Sequence, residues 1–265
     1  MKKEICIAVM VVLTAVFAVS TYFIVSHHIQ GKAQAELYDS LAEQVEATVL
    51  ESASATEPEA TEPTMLPELA DLYEQNKDLV GWISIEDTNI NYPVVQSVDR
   101  QDFYLKHAFD GSYSDYGCPY VQEDCDIYYS DNLVIYGHHM GNGSMFNNLE
   151  KFKSKDFWQE HKTVSLNTLM EKADYEIVAV FKTVAYTDSP DAFKYYRFVN
   201  AENADDFNTY IDRCKELSMY DTGVSAEYGD KLITLSTCEY SQANSRLVVV
   251  AKKVVDRPAL EAENS

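Results

Sequence analysis

Lys231–Lys253 reads KLITLSTCEYSQANSRLVVVAKK, and the fold turns on how this stretch is parsed. Leu232, Ile233 and Leu235 form an apolar run that ends at Cys238, and a second run opens at Arg246 and continues through Leu247, Val248, Val249 and Val250. Seven polar or small residues separate the two runs, so they are expected to pair as neighbouring strands in a hairpin-like arrangement. That pairing sets a thiol at the lip of one strand and a guanidinium at the start of the next, close enough to share one substrate.

A thiol in that position is useful once it becomes a thiolate, and an unperturbed cysteine, with a pKa of about 8.5, is mostly protonated at neutral pH. A base or cation must therefore lie nearby. The sequence offers one far upstream, in NLVIYGHHM at Asn132–Met140, where a strand at Leu133–Tyr136 runs into Gly137 and His138. Glycine is expected here to let the backbone turn sharply, so that the imidazole projects from the strand end.

Further strands are expected at Trp82–Glu86, Ile90–Val95, Pro119–Gln122, Thr163–Leu169 and Tyr175–Tyr186, with Asp87, Thr88 and Asn89 as turn residues between the first two. A short helix starts at Pro67, and Asp99–His107 fits a helical turn. Many short strands separated by turn chemistry make the chain mainly β and point to a closed or nearly closed barrel of about eight strands with peripheral helices. Asp188–Gly229 interrupts the pattern. Within it, Asn203–Leu217 places Phe207, Ile211 and Leu217 on one helical side, and so long a connection inside a compact domain usually serves function.

Toward the N-terminus, Ile5–Val25 is 21 residues without a charge, about 30 Å as a helix and enough to span a bilayer. Lys2 and Lys3 precede it, which favours an uncleaved anchor with its N-terminus inside. Ala33-Gln34-Ala35 has the form of a signal-peptidase site, but the apolar run is longer than a signal peptide's usual core. Leu37, Leu41, Val45 and Val49 make a stripe for a short juxtamembrane helix within Ala33–Leu50. Glu51–Thr64, with ATEP occurring twice, is too polar to fold by itself and is expected to be an extended linker. The domains are thus 1–30 anchor, 31–64 acidic helix and linker, 65–256 β domain and 257–265 tail.

The net charge is −22 over 265 residues, and no basic stripe exists to displace phosphate counterions, which argues against nucleic acid. The five cysteines include no CxxC pair, so zinc-type spacing is absent and no metal is expected. Cys118 and Cys125 are read as two thiols, with a disulfide between them as the sharper alternative.

TLSTC with an arginine eight positions on, preceded about 100 residues earlier by IYGHHM, resembles the sortase family, class B. The resemblance spans Leu66–Val255 and includes GWISI at Gly81–Ile85, INYPVVQ at Ile90–Gln96 and FYLKHAFDG at Phe103–Gly111. It implies a sortase-like barrel with a helix-bearing loop before the cysteine strand, walling the substrate groove. It also implies a membrane-anchored, extracellular cysteine transpeptidase of a Gram-positive-type cell, with no cofactor. Such an enzyme cleaves a C-terminal sorting motif of a secreted protein after Thr and passes it to an amine of a peptidoglycan precursor or a pilin.

On that resemblance Cys238 is the nucleophile, His138 the general acid and base, and Arg246 the oxyanion or substrate-carbonyl donor. His138 is preferred to its neighbour His139 because the family's histidine follows glycine. Tyr136, Ser236, Thr237, Glu239 and Leu105 would line the groove. Glu239, beside the thiol, raises rather than lowers a thiol pKa, so holding substrate or ordering the loop suits it better than base chemistry. The rival readings are a cysteine peptidase that uses water and a catalytically silent surface-binding module. A papain-type enzyme is disfavoured because its Cys precedes its His, and a caspase because the QAC-type motif is missing.

Overall fold

The computed structural model describes residues 2–54, 64–185, 192–241 and 244–256. It divides into two units, Met1–Asp39 and Ser40–Ser265. Most of the ATEP linker, part of the long connection, the 242–243 tip and the 257–265 tail lie outside the described residues.

Helix α1, Lys2–Ser54, is unbroken. Two helices, an anchor and a separate juxtamembrane one, are expected from the sequence, but Ser26–Leu50 holds no proline and is rich in Ala, Glu and Gln, so nothing ends the first helix. In the first unit large apolar side chains such as Val11, Phe17 and Ile24 are exposed, at 63%, 74% and 70%. The helix is long and apolar enough to cross a membrane.

The second unit is built on a closed barrel of eight strands. They are β1 Leu79–Ser84, β2 Asn91–Val95, β3 Tyr120–Val121, β4 Asn132–Tyr136, β5 Thr163–Thr168, β6 Lys172–Val184, β7 Leu232–Cys238 and β8 Ser245–Asp256. Around the barrel the order is β1-β2-β3-β4-β7-β8-β6-β5, closed by an antiparallel β1–β5 pair. Two neighbours are parallel, β2–β3 and β4–β7. Closure gives each of the eight strands a neighbour on both sides.

The core comes from the β-branched runs already visible in the sequence. Val134, Ile135, Ile233, Leu235, Val248, Val249 and Val250 are fully buried, joined from β6 by Val180 and Phe181. The first six residues of β7 are buried on both faces, because helix cover outside the barrel matches the core inside. Helix α2 is Pro67–Gln75, α3 Lys155–Glu160 and α4 Ala204–Leu217. On the outer face of β7, Thr234 Oγ1 donates to Asn132 Oδ1 at 2.9 Å and lies 3.0 Å from the Tyr210 hydroxyl of α4. Asn203 caps α4 by accepting from the Asp206 N–H at 3.1 Å, a position where its carbonyl satisfies a free helical donor. A 3-10 helix at Phe146–Lys153, which the sequence pattern does not reveal, follows the β4 strand end.

Candidate active site

The site begins with one strand register. β7 and β8 pair antiparallel, and their last matched positions are Cys238 and Arg246. Cys238 is half-buried after six buried residues, so the sulfur surfaces where the strand leaves the core. Arg246, also half-buried, donates from Nη1 to its neighbour's Ser245 carbonyl at 3.0 Å.

The other flank of β7 brings in His138. β4 lies parallel to β7 with Tyr136 matched to Ser236. The pairing continues past the strand: Gly137 N–H donates to Ser236 O at 3.1 Å, and Thr237 Oγ1 donates to Gly137 O at 2.8 Å. His138 therefore emerges at the level of Cys238. Gly137 is not in a left-handed conformation, contrary to the sharp turn expected there. The reason for glycine is space, since a Cβ would stand 2.5 Å from Cγ of the fully buried Phe146 ring.

His138 Nε2 lies 2.7 Å from the carbonyl of Leu105. A carbonyl only accepts, so Nε2 carries a proton and Nδ1 is the nitrogen left to act as base. Burial pushes the His138 pKa below its usual value; the Leu105 carbonyl opposes the shift, and the Lys106 and Arg246 charges add to it. Its backbone carbonyl accepts from Phe146 N–H at 2.8 Å, which pins the loop. Gly117, at φ +63°, has no room for a side chain, because a Cβ there would run into the Tyr104 carbonyl oxygen and come 3.2 Å from His138 Cδ2. His139 turns the other way, with Nδ1 3.7 Å from Glu150 and its ring edge-on to Tyr240.

Cys238, His138 and Arg246 line one cleft of about 290 Å³ together with Leu105, Tyr136, Ser236 and Thr237. Among the described residues no group of His, Cys, Asp and Glu is arranged to hold a metal ion. A thiol, an imidazole and a guanidinium in one such cleft can attack, protonate and stabilise an acyl carbonyl.

Residues 83–254 match the family model for the sortase domain. The chain belongs to the sortase family, class B. It is 35% identical over 227 residues to a sortase B of Listeria monocytogenes, covering 83% of this chain and 88% of the relative. It is 28% identical over 253 residues to a sortase B of Staphylococcus aureus, covering 94% and 97%. Among solved structures, the Staphylococcus aureus sortase B-substrate complex superposes with a TM-score of 0.74 at 27% identity, over 85% of this chain and 98% of that one. Membership makes the protein a sortase-type cysteine transpeptidase.

Of the five groove residues expected in this sortase, four line the cleft and Glu239 does not. Its carboxylate, 5% exposed, pairs instead with Lys153 Nζ at 2.8 Å. Glu239 follows the end of β7, and its carboxylate is drawn behind the cleft by Lys153 and the Ser241 donors. Ser236 and Thr237 are themselves nearly buried, with Ser236 Oγ 2.6 Å from the Tyr195 hydroxyl. They shape the floor more than they offer free groups.

Sequence reasoning missed Asp102, Tyr104, Cys118 and Tyr120, which also line the sortase cleft. Tyr120 is paired directly with Tyr136 across β3–β4, and its hydroxyl donates to Asp102 Oδ1 at 2.7 Å. The register of those two strands was the one signal that could have found it. Cys118 and Cys125 are separate buried thiols, directed at the carbonyls of Pro93 and Asn132 respectively.

Proposed function

We propose that this sortase is a membrane-anchored enzyme in which Cys238 attacks the Thr carbonyl of a C-terminal sorting motif on a secreted protein. The sulfur–carbon bond forms as the carbonyl becomes a tetrahedral oxyanion, toward which Arg246 donates hydrogen bonds. His138 takes the thiol proton and gives it to the leaving amine when the peptide bond breaks, leaving a thioacyl enzyme. An amine from a peptidoglycan precursor or a pilin then attacks the thioester, loses its proton to His138, and frees Cys238 as the new amide forms.

What supports these roles is the cleft shared by one thiol, one imidazole and one guanidinium, two of them direct strand partners. Substrate binding is supported by the Staphylococcus aureus relative, solved as a sortase B-substrate complex. Leu105, Tyr136, Ser236 and Thr237 would contact or shape the bound peptide. The exposed apolar helix supports a single membrane anchor, and Lys2 and Lys3 ahead of it favour an N-in orientation with the catalytic domain outside the cell. Tethering would hold enzyme, substrate and lipid-linked acceptor at one surface and raise their effective concentration.

Product mass spectrometry on LPxTG-like and NPxTN-like peptides, with and without an added amine, tests the reading. The amide of the added amine is expected as the main product. Free acid alone would make the protein a plain cysteine peptidase, and no product with either amine or water would favour a silent binding module.

A further inference from the structure

A charge cluster lies behind the cleft, and the reaction as written gives it no part. It starts at Glu239, the residue after Cys238. One carboxylate oxygen, Oε1, receives Lys153 Nζ at 2.8 Å; the other, Oε2, accepts the Ser241 N–H at 3.0 Å and the Ser241 hydroxyl. Lys182 of β6 stands 3.9 Å away. Lys153 closes the 3-10 helix Phe146–Lys153 and also meets Glu150 at 2.5 Å. Glu150 lies 3.7 Å from His139, the neighbour of His138, and the Tyr240 hydroxyl donates to His139 O at 3.1 Å. The segments that carry the thiol and the imidazole are thus tied together from behind.

The cluster also has an electrostatic sense. A carboxylate one residue from a thiol disfavours the thiolate, most strongly where water is excluded. Burial would raise the Glu239 pKa, but the Lys153 ammonium and the Ser241 donors outweigh it and hold it at about 2. Lys153 stays protonated, because Glu150 and Glu239 overcome its own desolvation. The ion pair therefore persists at neutral pH as a nearly charge-balanced unit.

We propose that Lys153 is a positioning residue of the transpeptidase: by pairing with Glu239 it fixes the chain where it leaves β7 and cancels a negative charge that would oppose the Cys238 thiolate. The proposal rests on Cys238 being the nucleophile. Among the described residues, the titratable and charged groups around that sulfur are His138 beyond β4, Arg246 on β8, Glu239 and Tyr240 after β7, and Asp102, Tyr104, Cys118, Tyr120 and Tyr136 across the cleft. Behind the turn stand Lys153, Glu150 and His139, with Lys182 on β6. Lys106 and Asp115, paired at 2.8 Å, act on His138.

The test is the pH midpoint of Cys238 alkylation by iodoacetamide, followed by peptide mass spectrometry, in the full-length protein. Lys153→Met should raise the midpoint by about one unit, Lys153→Arg should keep it, and Lys153→Met with Glu239→Gln should restore it. A midpoint unmoved by Lys153→Met, or a double variant no closer to wild type, would overturn the proposal. Should Lys153→Met fail to fold, Glu239→Gln alone decides: a lowered midpoint supports the role and an unchanged one ends it. Alkylation does not need turnover, so failure here is distinguishable from Cys238 not being the nucleophile, which retained turnover in Cys238→Ala would show.

Discussion

Arg246 is the direct cross-strand partner of Cys238 at the end of the antiparallel β7–β8 pair. Residues so matched have Cα atoms about 4.5–5.5 Å apart, and the distance is held by the sheet ladder rather than by a loop. A planar fork fixed there can offer two parallel N–H groups to a developing oxyanion. Lysine keeps the charge and loses the fork. Arg246→Lys is therefore expected to lower kcat on a sorting peptide about 10²-fold or more, with a much smaller change in KM, measured by steady-state kinetics.

Gly137 separates β4 from His138 under the Phe146 ring. Gly137→Ala pushes a methyl group into that ring, and overpacking of this kind costs about 1–3 kcal/mol. Urea denaturation should show that loss. Activity should fall further than stability explains, because displacing Phe146 also strains the hydrogen bond that pins His138.

His138 is held neutral more readily than a free imidazole, chiefly by burial. The folded state thus binds its proton less well than the unfolded state, so stability from this group is complete above about pH 6.5 and falls as pH drops through the lowered folded value. NMR titration should place the His138 midpoint below that of an unfolded-chain histidine. Lys106→Gln should move it upward, since the Lys106 charge is one of the groups that lower it.

Tyr195 ties the connection before β7 to the cleft floor, with its hydroxyl 2.6 Å from Ser236 Oγ and both residues buried to within 1%. Tyr195→Phe leaves a buried hydroxyl without that partner, a cost of about 1–3 kcal/mol. Thermal unfolding should register it, and KM for a sorting peptide should rise as the floor loosens.

The sequence made the local elements readable and left the non-local ones hidden. Asn132–Tyr136 is a strand within one residue of the expected Leu133–Tyr136 because LVIY is apolar, β-rich and flanked by Asn and Gly. The thiol and guanidinium strands pair as their β-branched runs imply. The parallel β4–β7 contact, which sets His138 beside Cys238, depends on a register across about a hundred residues that no local pattern encodes. Asp102 sits in a left-handed conformation at φ 52°; Tyr104 enters the cleft from the 3-10 helix Phe103–Leu105, inside the expected Asp99–His107 turn, and Tyr120 from a two-residue strand, elements too short for periodicity to show which way a side chain faces. Glu239 was expected in the groove. Its side chain turns to Lys153, on a 3-10 helix whose placement the sequence does not show.

The central claim is that the groups at 138, 238 and 246 act on one carbonyl, and turnover of a fluorogenic sorting peptide by single variants tests it most directly. Cys238→Ala and His138→Ala, each shown folded by circular dichroism, are expected to reduce cleavage to background. Substantial cleavage by either variant would contradict the account.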